Sequence, residues 1–270
     1  MKKIILIGSG VVVAAIIAMI VLVVLNLGDL IKAAVEKYGP PITKTEVRLG
    51  SADISILSGS GSLENFFLGN PQGFSMPSAL ECGTIRVSVE TDSLTTDTIV
   101  INEIYVDGPV VSYEKKGSTD NFQTIVNNIN KTVAGERKAD KAAEDKTATE
   151  TGSEKKIVIN DFIVKNGKIN VGGSLLKVFG DKGMGIALPD IHLKDIGKDK
   201  ETTPAEAFSQ ILAEMTGDVS GSVTQFGKEL QKQLGKAVEG AGKALEDAAK
   251  GAGEGADSVG GAIKGLFGSD

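Results

Sequence analysis

The hydrophobic pattern changes character along this chain, and each change predicts a different element. From Ile4 to Leu27 nearly every residue is apolar, broken only by Gly8, Ser9, Gly10 and Asn26. About 20 such residues at ~1.5 Å each cross a ~30 Å hydrocarbon core, so the run predicts one membrane-spanning helix within residues 1–28. A secretory signal has a shorter apolar stretch and a small-x-small cleavage site. The exit Val24-Leu25-Asn26-Leu27-Gly28-Asp29-Leu30 has no such site, which favours an uncleaved anchor over a cleaved signal. Lys2 and Lys3 precede the run and Asp29 follows it. The positive-inside rule therefore keeps the N-terminus in the cytoplasm and sends the rest across, although Lys32 and Lys37 weaken the contrast.

Residues 29–130 read as a first β-rich block opening with a juxtamembrane helix. Leu30, Ile31, Ala34, Val35 and Tyr38 share one helical face, expected to lie against the following domain, and Gly39-Pro40-Pro41 is expected to end the helix. Beyond Pro41 the period becomes two. Val47 and Leu49, then Ile54 and Ile56, then Leu63 to Phe67 predict short antiparallel strands with one buried face. Gly59-Ser60-Gly61 is a turn or bulge candidate, and Asn70-Pro71-Gln72-Gly73-Phe74 an architectural loop. Ile85, Val87 and Val89 resume the alternation, followed by Ile99, Ile101, Ile104, Val106, Val110, Val111 and Tyr113. The change of phase between Ile101 and Ile104 predicts a bulge. Asp120 can cap a short packing helix with the stripe Phe122, Ile125, Val126 and Ile129.

Residues 131–156 lose almost every large apolar side chain and read as a solvated linker, or at most an exposed charged helix. Residues 157–200 read as a second β block completing the same sheet, with Asn166-Gly167 as the turn of a β-hairpin. Residues 201–270 form the tail. Thr203, Pro204 and Glu206 make a capping box with proline in the first turn. An apolar stripe follows through Leu212, Met215, Val219, Val223, Phe226, Leu230, Leu234, Leu245, Val259, Ile263 and Phe267, with alanines between. Its spacing of about 3.67 residues per turn predicts a nearly straight amphipathic helix. Such a helix fits a membrane surface, a partner helix or the protein's own sheet. Its many glycines, each costing roughly 1 kcal/mol against alanine, also fit a segment disordered until bound.

Composition narrows the function. The formal net charge of −6 and pI near 5.1 exclude the basic footprint of a nucleic-acid binder. The single cysteine, Cys82, allows no internal disulfide, and the single histidine, His192, has no partners at metal-ligand spacing. Asp53, Glu64, Glu81, Asp107 and Asp190 are scattered carboxylates with no nucleophile or base beside them, so a non-enzymatic protein without metal or cofactor is expected.

The order of pieces resembles the AsmA-like family. An N-terminal anchor and short helix precede strands that close on Leu68-Gly69-Asn70-Pro71-Gln72-Gly73-Phe74, similar to that family's Asn-Pro-x-Gly-Phe segment. Ile104 to Val111 followed by Asp120-Asn121-Phe122-Gln123-Thr124-Ile125 looks like its later strand pair and helix. Ile157 to Val171 is similar to the block after its charged insertion. The resemblance covers roughly residues 1–200. It implies an inner-membrane anchor, a periplasm-facing domain in a diderm bacterium, and involvement in envelope organisation or phospholipid transport along an apolar β-groove. This chain has too few strands to bridge an envelope, and its tail has no counterpart there.

The fold expected is therefore a membrane-anchored α+β protein: one transmembrane helix, an antiparallel β-sheet that could curve into a groove, a short packing helix and a long amphipathic tail. The expected partners are the membrane, a phospholipid ligand and a protein partner, with no nucleic acid. If lipid binds, Ile54, Ile56, Ile85, Val87, Val89, Ile99, Ile101, Val106 and Val111 are the candidate contacts; ordinary sheet core needs the same alternation. The alternative is an adaptor that recruits a partner through its tail or a sheet edge.

Overall fold

The computed structural model describes residues 26–143, 155–173, 185–200 and 202–251. The described residues form an α+β fold with a mixed sheet and three α-helices. Most of the predicted anchor lies outside the described residues, and no described helix is long and apolar enough to cross a membrane. The chain divides into two compact units, Met1–Val223 and Thr224–Asp270.

Helix α1 (Leu27–Thr43) runs through Pro40 and Pro41 instead of stopping before them. Pro40 and Pro41 cannot donate the bonds to the Glu36 and Lys37 carbonyls, so the helix passes through two unmade bonds before it ends. The helix closes instead on Lys44, whose left-handed φ of 58° lets its N–H reach the Pro40 carbonyl at 2.9 Å. Its predicted inward face is only partly inward: Leu30 and Tyr38 are exposed. The strands follow as β1 (Val47–Arg48), β2 (Ser51–Ser55), β3 (Ser60–Gly69), β4 (Ser78–Val89), β5 (Thr98–Asp107), β6 (Val110–Lys116) and β7 (Thr119–Asp120). After α2 (Asn121–Ala143) come β8 (Lys156–Lys165), β9 (Lys168–Gly173), β10 (Gly185–Ala187) and β11 (Ile191–Ile196), then α3 (Pro204–Gly251).

The described strands all join one sheet in which the short pieces line up end to end. β4 pairs with β5 along its second half and with β6 along its first, and the antiparallel register carries across the junction: Thr84 faces Asp107 and Glu81 faces Val110. β8 and β9 then run parallel to β5 and β6, with Asp107 opposite Lys165 and Val110 opposite Lys168. β11 and β10 return antiparallel to them. β1 and β2 likewise flank β3 in a single register.

This overturns the all-antiparallel sheet and the hairpin expected at Asn166-Gly167. A parallel pair needs a long crossover. Helix α2 and the charged segment after it supply one, returning the chain to the starting end of β5. Asn166 has φ 56°. Its tolerance of positive φ serves an interruption in a continuing strand, not a reversal.

The interruptions are aligned. The registers place Gly50, Asn65, Gly83, Gly108, Asn166 and Pro189 in one row across the sheet. Asn65 (φ 54°), Gly108 (φ 62°) and Asn166 are left-handed. Each residue of this seam is an extra position between inward side chains, so inward residues lie three apart across it rather than two: Leu63 and Phe66, Cys82 and Ile85, Val106 and Pro109. The apolar face therefore stays on one side throughout. The seam is stitched by backbone bonds from Gly108 N–H to the Lys165 carbonyl (2.8 Å) and from Lys168 N–H to the Pro109 carbonyl (2.9 Å).

The β4–β5 register shifts between Ser88 and Val89, where the phase change at Ile101 predicts a bulge. This shift is matched by Asp195 at φ 55° in β11, and Ile159 and Ile196 beside it are buried.

The core lies between this inner face and the helices. Phe122, Ile125, Val126 and Ile129 of α2 are buried. Asp120 caps the helix by accepting the Gln123 N–H at 2.8 Å. α2 continues to Ala143, into the stretch expected to be a solvated linker or an exposed charged helix; residues 144–154 lie outside the described residues. The capping box of α3 forms in both directions, Thr203 N–H to Glu206 (3.0 Å) and Glu206 N–H to Thr203 Oγ1 (3.3 Å). Its first turns then bury Ala207, Ile211, Leu212, Met215, Val219 and Val223.

Candidate functional site

Where the first turns of α3 lie over the sheet, they do not fill the space beneath them. A cavity of about 210 Å³ remains, lined only by apolar side chains and Cys82. The sheet contributes Ile85 and Val87 from β4, Ile104 and Val106 from β5, and Phe162 and Val164 from β8. Ile85 faces Val106 and Val87 faces Ile104, and these pairs continue onto Val164 and Phe162, so the lining is two adjacent cross-strand rows of one face. Phe208, Ile211, Leu212 and Met215 roof the cavity from α3, and Val35 of α1 reaches its edge. Leu80, from the far side of the seam, also lines it, so both halves of the sheet enclose one space.

The residues expected to contact lipid are distributed in order along this face. Ile85, Val87 and Val106 line the cavity, and Val111 is fully buried beyond the seam. Ile54 is half-buried in the same cross-strand row as Val87, and Ile56, Val89, Ile99 and Ile101 are half-buried toward the other end of the strands. The apolar face thus continues from the cavity, whose own Leu63, Phe66, Ile85, Val87 and Ile104 are half-buried, into a strip that is half-buried as well. Of the tail stripe, Leu212 and Met215 belong to the roof, Val219 and Val223 are buried farther along, and Phe226 is half-buried. The side chains of Leu230, Leu234 and Leu245, and all of Val259, Ile263 and Phe267, lie outside the described residues.

Phe162 and Val164 are legible in the sequence only as a strand, because the pattern of one strand does not say which other strand shares its row. A signal was nevertheless available. Ile157-Val158-Ile159-Asn160-Asp161 repeats Ile99-Val100-Ile101-Asn102-Glu103, and the two copies pair side by side, with Ile99 opposite Ile157 and Ile101 opposite Ile159. The Asn of each copy meets the other, Asn160 Nδ2 to Asn102 Oδ1 at 3.4 Å.

Cys82 is buried at the seam. Burial first, then the neighbouring Glu81 carboxylate, pushes its thiol up to about 12, which makes it a small apolar liner rather than a nucleophile. Against Leu49, Phe66 and Cys82 a second depression of about 570 Å³ opens beside α1, and its lining is mixed: Lys32, Glu36, Arg48, Asn65 and Glu81 stand beside Phe67 and Val110. Several of these groups serve the fold. Lys32 Nζ donates to the Gly50 carbonyl at 2.9 Å, Glu36 accepts the Leu49 N–H at 3.3 Å, and Arg48 stacks 4.0 Å above Phe67.

The Asn-Pro-x-Gly-Phe loop is held from below. Glu114 accepts the Ser75 N–H (2.8 Å), the Ser75 hydroxyl (2.9 Å) and the Met76 N–H (3.1 Å). Asn121 donates to Asn70 Oδ1 and to the Ser112 carbonyl, both at 2.7 Å. These bonds tie the loop to β6 and the start of α2, which is an architectural arrangement.

His192 is exposed on the outer face, its Nε2 at 2.5 Å from Asp161 Oδ1, with Lys194 3.9 Å from the same oxygen. Among the described residues no cluster of His, Cys, Asp and Glu could hold a metal ion. Searches against protein-family models and against curated proteins find no match to the chain.

Proposed function

We propose that this protein handles phospholipid without catalysing a reaction, taking an acyl chain between the inner face of its sheet and the first turns of α3. The observation that carries the reading is the apolar cavity and its continuation into a half-uncovered strip of isoleucine and valine. A packed core leaves few voids larger than a water molecule. An apolar cavity of about 150 Å³ is enough to stay dry and admit a benzene-sized guest. This one is larger, at about 210 Å³. Its lining offers no polar side chain to orient a hydrophilic ligand, so the guest chemistry it suits is a hydrocarbon chain. Residues 4–27 would hold the domain at the inner membrane, facing the periplasm, as the resemblance to AsmA-like proteins implies.

The test is mass spectrometry of lipid extracted from the full chain purified in mild detergent, compared with Val87→Trp, which fills the cavity from β4. Phospholipid bound near one per chain in the parent and lost in the variant, with the variant's thermal unfolding still cooperative, supports the reading. Equal lipid in both proteins overturns it.

A further inference from the structure

Two of the large hydrophobic side chains that the described residues expose lie toward one end of the first unit. Leu57, at the tip of the turn Ile56–Gly59, is 99% exposed, and Leu30, in the first turn of α1, is 53% exposed. Helix α1 runs antiparallel to the edge strands. Gly28 abuts the Ala52 carbonyl, Lys32 Nζ bonds the Gly50 carbonyl, Glu36 bonds the Leu49 N–H, and Gly39 packs on Val47. Its first residue therefore lies at the end toward which β2 runs. From Ala52 to Ser55 three residues at about 3.3 Å carry β2 roughly 10 Å beyond Gly28, and the turn follows. The apolar run Ile4–Leu27 thus enters the fold at the end where Leu57 projects. The half-buried Val89, Ile99 and Ile101 lie toward that end too, with the Val89 N–H bonded to the Gly59 carbonyl.

We propose that the turn Ile56–Gly59 is a wedge that inserts into the surface of the phospholipid bilayer holding the anchor, placing the open end of the apolar strip against the acyl layer. This rests on reading residues 4–27 as the anchor and the strip as a lipid path. A Leu at a turn tip on the outside of a domain buries nothing in the domain itself; at the headgroup–acyl boundary it gains apolar surroundings. Exposed Glu90, Asp92 and Asp97 lie around the adjoining 3-10 turn, Thr91–Thr95, and confine insertion to the wedge. Gly59, at φ 65° and packed against the Val89 carbonyl, fixes how the turn projects.

The experiment uses the full chain in phosphatidylethanolamine–phosphatidylglycerol vesicles, with an environment-sensitive fluorophore on Leu57→Cys or, at the opposite end of the sheet, on Lys116→Cys. Cys82 is buried and stays unlabelled. The expected result is a blue shift and quenching by doxyl-labelled lipid at position 57 and neither at position 116. Protein that co-floats with the vesicles while position 57 reports water overturns the wedge and leaves the anchor standing. Protein that does not co-float overturns both. In parallel, Leu57→Asp should keep flotation and thermal stability but lower the lipid recovered with the chain; unchanged lipid recovery overturns the role of the wedge in filling the cavity.

Discussion

Leu212→Ala tests whether the first turns of α3 form a roof or merely lie nearby. Leu212 is fully buried and lines the cavity from above. Leu→Ala substitutions in cores cost about 2.7–5.0 kcal/mol, rising with the volume left unfilled. Here the vacated space joins an existing cavity of about 210 Å³ whose floor is a hydrogen-bonded sheet, so little collapse is available. We expect a loss of about 3–4 kcal/mol. At roughly 2–4 °C per kcal/mol for a chain of this size, the midpoint of the first unit should fall by about 6–16 °C. The chain has no tryptophan, so unfolding is followed by tyrosine fluorescence; Tyr113 is buried, with its hydroxyl 3.5 Å from Ser220 Oγ of α3. Glu214, on the opposite side of the same turn, is exposed. Its replacement by alanine should change stability by about 0.5 kcal/mol or less. A loss below about 1 kcal/mol for Leu212→Ala would refute the docking of α3. Adding phospholipid separates chamber from core. A ligand at 100 times its Kd stabilises by about 2.7 kcal/mol, and the enlarged cavity of the variant should respond at least as strongly as the parent. Full destabilisation with no response to lipid in either protein means the cavity is a packing void and the lipid reading fails.

Three further substitutions and one titration follow from the seam. Gly108 has φ 62°, and a side chain added there meets no neighbour closer than 4.0 Å. The cost of Gly108→Ala is therefore the left-handed backbone alone, about 1–2 kcal/mol. Gly83→Ala, in the same row but with no positive φ and open space around it, should be neutral or slightly stabilising; thermal melts of the two variants check the contrast. Cys82 should resist alkylation in the folded protein and react on unfolding. Its thiol sits near 12 when folded against an ordinary 9.0, so the unfolded chain releases the proton first. Its contribution to stability is therefore complete below about pH 9 and is lost as pH rises from there toward 12, and Cys82→Ala should flatten that limb of the pH–stability curve.

Much of the local structure is legible in the sequence because it depends on neighbours in the chain. Period-two alternation, the Asp120 cap, the Thr203–Glu206 box and the phase change at Ile101 are each set by side chains within a few residues of one another. Gly39-Pro40-Pro41 does not stop α1, because helix termination depends on where a left-handed residue can close the last turn, which is Lys44. Asn166-Gly167 fails as a hairpin for a related reason. Positive φ is compatible with a reversal or with a bulge, and the choice rests on the partner strand, Val106 to Val110, far away in the chain.

The sequence by itself determined that the chain carries an apolar run, a β-rich region with one apolar face, and a stripe of helical period in its tail. Those features are periodicities, and a periodicity is a property of one segment. Only the tertiary structure decided that the strands line up into composite strands broken along one seam, that the repeat at Ile99 and Ile157 pairs in parallel, and that α3 roofs the sheet with space to spare. Alternation is the same for a filled core and for a lined chamber. The difference lies in how far the covering helix stands from the sheet and which side chains meet between them. This depends on residues more than a hundred positions apart, such as Ile104 and Leu212.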